Sequence, residues 1–234
     1  MGTEIRSAIE ETDDITITGI VSPEHIGEKC ESKGLALEAA NSLEDLKSQC
    51  ELPEVIVDFT IANAAYENAL FAANHNVSFV SGTTGLSDEQ KNTITQAFTK
   101  SLANAIIAPN FSVGVVLMMH FSAVAAKHFS HAEIIETHHI QKKDAPSGTA
   151  LATQKMMTES SNLSETDIPI HSLRLPGAVA HQQVHLSSKG EILRIEHDAN
   201  DRSCFMPGLI LAIRKVNEVN NIQFSIEPLL FPED

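Results

Sequence analysis

The stretch Ala132 to Ala150, AEIIETHHIQKKDAPSGTA, constrains the chain more than any other, because it prescribes a strand, a charged loop and a helix start in immediate succession. The apolar run carrying Ile134 and Ile135 predicts a buried strand whose carboxyl end delivers His138 and His139 to a loop. Lys142, Lys143 and Asp144 follow. Pro146-Ser147-Gly148-Thr149 then leads into ALATQKMMTES, a helix start with a hydroxyl cap, where free N–H groups and the macrodipole favour an anion. The implied ligand is a carboxylate or phosphate.

An imidazole, with an unperturbed pKa of ~6.5, gives or takes a proton near neutrality without tuning. An ammonium beside it can neutralise a ligand carboxylate or stabilise charge that develops during reaction. The set suits proton-assisted reduction or addition on an acidic small molecule. An isolated His-His pair would read as exposed loop histidines; the lysines and the Pro-Ser-Gly-Thr turn next to it favour a site. A metal centre is not expected, since adjacent residues leaving a strand point to opposite faces and seldom chelate one ion.

Sixteen basic against 31 acidic residues, a net charge of −15, argue against nucleic acid or an anionic membrane as partner, so an anionic ligand needs local positive potential. With 234 residues and 42% hydrophobic content the chain can bury a substantial core in two modest domains. Cys30, Cys50 and Cys204 are widely spaced without a CxxC pair, which predicts free thiols in a reducing cytosol rather than disulfides or zinc. The longest apolar stretch, Val113 to Met119, is far short of the roughly 20 residues that span a bilayer. The expectation is a soluble cytoplasmic protein without a signal peptide.

Met1 to Glu11 predicts a short amphipathic helix, and Ile15 to Val21, ITITGIV, a strand. Glu28 to Ala40 lacks clean periodicity and is read as a loop before a short helix from Ser42 to Gln49. Val55 to Phe59 is a continuous apolar run as in a parallel strand covered on both faces, followed by a helical pattern from Ala62 to Ala73. Val77 to Val80 is the next strand, and Gly82-Thr83-Thr84-Gly85 turns the chain at its carboxyl end, where α/β sheets bind nucleotides. Ser87 and Gln90 form a capping box for a helix through Phe98, and Ala105 to Ile107 supplies another strand. Asn110 to Gly114 opens a helix in which Met118 and Met119 pack a core or interface. Strand-like runs follow at Ile170 to Leu173, Ala178 to Leu186 and Glu191 to His197, making a four-stranded sheet with Ala132 to His138. His181 and His185 lie on one face of a strand but roughly 13 Å apart at ~3.3 Å per residue, too far to share a metal. Cys204 to Val216 is helical, with Cys204 read as a small buried apolar residue, and Ile222 to Ile226 is a final strand.

Glu136-Thr137-His138-His139-Ile140-Gln141-Lys142-Lys143-Asp144-Ala145-Pro146-Ser147-Gly148-Thr149-Ala150 resembles the E-x-H-H-x-x-K-x-D-A-P-S-G-T-A signature of the dihydrodipicolinate reductase family. The resemblance extends through Asp58-Phe59-Thr60, Gly82-Thr83-Thr84-Gly85, Ala108 to Gly114, RLPGAVAHQQVHL and EHDANDRSCFMPG, nearly the whole chain except its beginning. It implies an α/β fold: a Rossmann-type nucleotide domain, N-terminally incomplete and discontinuous over 1–109 and 209–234, with a mixed α/β substrate and tetramerisation domain inserted at 110–208. The active site is expected between them. The implied reaction is NADPH- or NADH-dependent reduction of hydroxy-tetrahydrodipicolinate, after loss of water, to tetrahydrodipicolinate in lysine and diaminopimelate synthesis. By resemblance His138 is the proton donor and acceptor, assisted by Lys142. Lys142, Ser147, Gly148 and Thr149, with His139 alongside, would hold a substrate carboxylate. Nicotinamide would lie over Gly82, Thr83 and Thr84 and over Ala108, Pro109, Asn110 and Phe111. The family also implies a homotetramer.

In that family a first strand and a G-x-x-G-x-[MV]-G turn precede the first helix, and here only Met1-Gly2 matches the end of the turn. ITITGIV ends at Ser22 with no acidic residue to read a ribose 2′-hydroxyl, which leaves NAD against NADP preference open. Weak cofactor binding by these 234 residues is therefore expected. The alternatives are a cofactor-deficient dicarboxylate-binding or assembly-only homologue, and a reductase of another cyclic imine or keto acid.

Overall fold

Chain order alone separates the elements into a nucleotide-type half, a sheet-rich insertion and a return. The computed structural model describes residues 1–232. Residues 1–111 form one compact unit with the segment that begins at Phe205, and Ser112–Cys204 form a second.

In the first unit, helix α1 (Gly2–Glu10) precedes β1 (Ile20–Val21), β2 (Lys29–Ser32), β3 (Leu35–Ala40) and α2 (Leu43–Gln49). Then β4 (Val55–Asp58), α3 (Ala62–Asn74), β5 (Ser78–Ser81), α4 (Asp88–Lys100) and β6 (Ala105–Ile107) alternate, with the strands parallel, as in repeated βα units. All four residues of β5 are buried, as befits a strand flanked by parallel neighbours β4 and β6. Ala65, Ala69, Ala72 and Ala73 line the buried side of α3; the last three share one core with Phe79 of β5 and with Ile94 and Phe98 of α4, their small side chains allowing close approach. The capping box of Ser87 and Gln90 opens α4 as expected.

Two local expectations are corrected. Residues 29–40, read as part of a loop, form a β-hairpin, β2 antiparallel to β3, around the two residues Lys33 (φ 45°) and Gly34 (φ 81°). Paired positive φ angles match the right-handed twist of the strands. A lysine at the first of these positions conceals the turn; here its ammonium is held by the Thr12 and Ile15 carbonyls. Conversely, ITITGIV forms a ladder only at Ile20 and Val21, parallel to Ala39 and Ala40 of β3. Ile15 and Ile17 are half-buried between exposed Thr16 and Thr18, so the alternation exists, but no strand pairs with residues 15–19 among the described residues.

The second unit opens with α5 (Val113–Ala126), capped by Ser112, and continues with β7 (His131–His138), α6 (Gly148–Ser160), β8 (Ile170–Arg174), β9 (Ala180–Ser188) and β10 (Glu191–Ala199). The sheet runs β10-β9-β7-β8, with β7 antiparallel to β9 and parallel to β8. Ala132, Ile134, Val184 and Leu186 bury one face against Ala126, Ala150 and Met157 of α5 and α6. The return to the first unit is α7 (Met206–Lys215), β11 (Ile222–Gln223), parallel to β6, and α8 (Glu227–Leu230). The last strand is shorter than the predicted Ile222 to Ile226, because the chain turns into α8 with Pro228 in its first turn.

Gly208 lies so close to the Phe111 carbonyl that an added Cβ would stand 2.0 Å from that oxygen. The obstacle is backbone, which cannot swing aside. Gly208→Ala should therefore lose about 1–3 kcal/mol, the usual cost of overpacking, read as a lowered midpoint in urea with unchanged m-value.

Candidate active site

Strand β7 ends where the charged loop begins, and its period of two places Glu136 and His138 on one face. Glu136 is wholly buried, yet its carboxylate has a full set of donors. Arg174 bonds both oxygens at 3.0 Å, and the Ser147 N–H reaches Oε1 at 3.2 Å. His138 Nδ1 lies 2.5 Å from Oε2. Burial is the largest influence on Glu136 and raises its pKa, but the Arg174, Ser172 and His138 hydrogen bonds together bring it below the ordinary value. An ionised carboxylate only accepts, so His138 carries its hydrogen on Nδ1, and Nε2 is the ring nitrogen not engaged by Glu136.

Burial lowers the pKa of His138, Glu136 opposes that, and Lys142 and Arg174 push it further down; the net shift is downward. Lys142 sits 2.8 Å from Asp144, whose carboxyl is in turn held below the usual range by that hydrogen bond. Lys143 and His139 are exposed, with His139 Nδ1 3.2 Å from the Gln141 side-chain oxygen. Ser147, nearly inaccessible, caps α6 by accepting from Ala150 N–H. The Gly148 and Thr149 N–H groups head the helix with no carbonyl one turn before them, and Gly148 is exposed. The second unit thus assembles an imidazole, an ammonium and a helix N-terminus at the end of one strand.

In the first unit, the loops after β4, β5 and β6 leave the carboxyl ends of three adjacent parallel strands. Asp58, buried at the end of β4, accepts from the Thr60 N–H and hydroxyl, the Asn68 amide and, at 2.8 Å, the Thr83 hydroxyl. Thr83 N–H bonds the Ser81 hydroxyl. This inward wiring fixes the Gly82-Thr83-Thr84 turn and leaves Thr84 exposed. Gly82 leaves no room for a side chain, since a Cβ there would meet the Phe59 ring at 2.2 Å. Ala108 and Phe111 are buried, the Phe111 ring 5.8 Å from that of Phe59, while Pro109 is exposed and Asn110 half-buried.

Sequence reasoning assigned no role to Glu136, Arg174 or Asp58. A period-2 reading of β7 would have paired Glu136 with His138. Arg174 was hidden, because only the parallel register of β8 sets it opposite His138. Cys204 is half-buried, and burial raises its thiol pKa, consistent with an unreactive group. No helix among the described residues is long and apolar enough to cross a membrane, and no His, Cys, Asp or Glu cluster there could hold a metal ion.

Residues 1–111 match the model of the dihydrodipicolinate reductase N-terminus, and residues 114–230 that of its C-terminus. The 4-hydroxy-tetrahydrodipicolinate reductase of Moorella thermoacetica is 42% identical over 250 residues, covering 98% of this chain and 94% of that one. The same-named protein of Picosynechococcus sp. is 38% identical over 258 residues with the same coverage. A dipicolinate-bound dihydrodipicolinate reductase from Paenisporosarcina sp. TG-14 superposes with a TM-score of 0.86 at 33% identity, covering 97% of this chain and 94% of its own. An amine dehydrogenase from Mycobacterium smegmatis, TM-score 0.66 at 10% identity over 93% of this chain and 89% of its own, shares the fold. Rossmann-type first unit, inserted mixed α/β second unit and near-complete sequence coverage agree: the chain belongs to the dihydrodipicolinate reductase family.

Proposed function

We propose that this chain reduces 4-hydroxy-tetrahydrodipicolinate, after loss of water, to tetrahydrodipicolinate with a reduced nicotinamide cofactor, NADH or NADPH, in lysine and diaminopimelate biosynthesis. The observation that carries the reading is the Glu136–His138 pair beside Lys142 and the head of α6. The cofactor fits the first unit by its chemistry: three loops at the carboxyl ends of parallel strands, one of them closed around a glycine with no space for a Cβ, are where α/β sheets take nucleotides. Gly82, Thr83, Thr84 and Ala108, Pro109, Asn110, Phe111 would hold it, the buried members through their backbone. When bound, it supplies the hydride.

The protein's own residues do the rest. Lys142 and the Gly148 and Thr149 N–H groups hold a substrate carboxylate, with Thr149 and Ser147 shaping that cradle and His139 at its rim. Binding transfers Lys142 from Asp144 to the ligand, which keeps the cation's charge matched throughout. His138 gives a proton from Nε2 to the reduced ring, so that one hydride and one proton together saturate one double bond. The protein is read as cytosolic and as a homotetramer built on the open face of the second unit's sheet. Ile192 of the edge strand β10, which pairs with Ser187 on the face away from the helices and is 56% exposed, supports that assembly. A second reading, a dicarboxylate-binding homologue without turnover, is favoured by the one-sided pairing of β1 and β4. Cofactor oxidation followed by absorbance in the presence of the hydroxylated substrate decides between them; dicarboxylate binding with no NADH or NADPH oxidation would favour the second.

Lys142→Ala should lower kcat/KM by about 10², the scale of losing one positioned electrostatic donor. Lys143→Ala should change it little, because Lys143 is exposed and solvated. Parallel steady-state measurements check the pair, and equal losses would remove Lys142 from the site.

A further inference from the structure

Arg174 has five N–H hydrogens, and every one of them has an acceptor within the protein. Nη1 donates to Glu136 Oε2 at 3.0 Å and to the Leu173 carbonyl at 2.7 Å. Nη2 donates to Glu136 Oε1 at 3.0 Å and to the Asp144 carbonyl at 2.6 Å. Nε donates to the Lys142 carbonyl at 3.3 Å. A guanidinium so committed has no donor left for a substrate carboxylate. Glu136 is equally occupied, by Arg174 twice, by His138 and by the Ser147 N–H.

We propose that Glu136 and Arg174 are positioning residues for the proton transfer at His138: together they fix its tautomer and tie Lys142, Asp144 and Ser147 into one rigid loop. The inference deepens the reductase reading and rests on His138 as the proton donor. A buried ion pair close to solvent-accessible chemistry is poor evidence for stability, since an apolar replacement of similar volume is often as stable. Its geometry, however, has consequences that an apolar pair could not reproduce. The carboxylate requires hydrogen on Nδ1 and so turns Nε2 to the reaction. The guanidinium takes the backbone carbonyls on both sides of Lys143, holding the Lys142 and Asp144 segments at the distance their own ion pair needs. Ser147 N–H closes the circuit, so the head of α6 is referenced to the same carboxylate as the imidazole.

The charges facing His138 are Glu136 on its own strand, Arg174 on β8 and Lys142, paired to Asp144, on the loop. Its register partner on β9, Ala180, carries none. Removing the anion must lower the histidine's proton affinity, and removing the guanidinium must raise it. A merely structural role would not give opposite signs.

The test is the pH dependence of kcat/KM, alongside two-bond proton–nitrogen NMR of the histidines in the full chain, for the parent, Glu136→Gln, Arg174→Gln and Arg174→Lys. In the parent, His138 should be the Nδ1–H tautomer. Glu136→Gln should mix the tautomers and shift the titration downward, and Arg174→Gln should shift it upward. Each should lower kcat/KM by about 10², whereas Arg174→Lys, which keeps the charge but not the fork, should hold the titration near the parent's and lose about tenfold. Should an uncompensated buried charge prevent folding, Glu136→Gln combined with Arg174→Gln removes both charges and should still mix the tautomers. An Nε2–H tautomer in the parent, shifts of the same sign, or parental kcat/KM in the double variant would overturn the proposal. Because NMR needs neither substrate nor cofactor, an inactive parent with the expected spectra would count against the reductase reading alone.

Discussion

His138→Gln is expected to lower kcat by about 10² to 10⁴, the loss typical of a removed acid or base, while binding of pyridine-2,6-dicarboxylate stays close to the parent's. The split follows from geometry. On the proposed reading His138 offers Nε2 for proton transfer, whereas the carboxylate would be held by Lys142 and the N–H groups at the head of α6, none of which the substitution touches. His139→Gln should instead raise KM with little change in kcat, since an exposed side chain at the rim makes the same contact in the ground and transition states. The pH dependence has a definite sign. Burial first, then Lys142 and Arg174, lower the His138 pKa despite Glu136, so the protonated donor is lost as pH rises through a value below the ordinary histidine range of ~6.5. The basic limb of kcat/KM, which reports the free enzyme, should fall on that side of the ordinary value and vanish in His138→Gln. Full kcat across the pH range in that variant would move the donor elsewhere.

What the sequence conveyed depended on the distance over which each feature is encoded. The capping box of Ser87 and Gln90 and the hydroxyl cap of Ser147 are bonds between residues three apart, and both form as read. The strand at β7 was equally legible, because its apolar run is covered on the side that meets Met157 and Ala150. Glu136 was visible only as a member of a motif; a carboxylate in the middle of a buried run is explained by its donors, and one of them, Arg174, lies 38 residues away along the chain. Asp58 is similar, since its partner Thr83 is 25 residues on. The hairpin at Lys33 and Gly34 failed for a different reason: the turn needs two residues at positive φ, and lysine gives no hint that it will adopt one.

An N-terminal extension placing a strand and a glycine-rich turn before Met1 is expected to tighten NADH binding by about 10² to 10⁴ relative to residues 1–234 alone. Two strands of the first unit stand at sheet edges. β1 is bonded on one side, by β3, and β4 on one side, by β5, so among the described residues neither has a second neighbour. Yet Val55-Ile56-Val57 is as apolar as a strand paired on both sides, and ITIT alternates without a ladder to join. A parallel strand lying between β1 and β4 would satisfy both edges and merge the two sheets into one. Its carboxyl end would then present a turn level with those at residues 58–60 and 82–84, adding backbone N–H groups for a pyrophosphate. Hydrogen bonds to a charged group contribute roughly 1.5–3 kcal/mol each, and two such bonds give the stated range. Ladder completion should also raise the stability of the first unit, adding to the effect at temperatures where the parent begins to loosen. The carboxylate cradle belongs to the second unit, so pyridine-2,6-dicarboxylate should bind both forms alike. Calorimetric titration of each ligand into each form tests the scheme, and micromolar NADH affinity in the unextended chain would refute it.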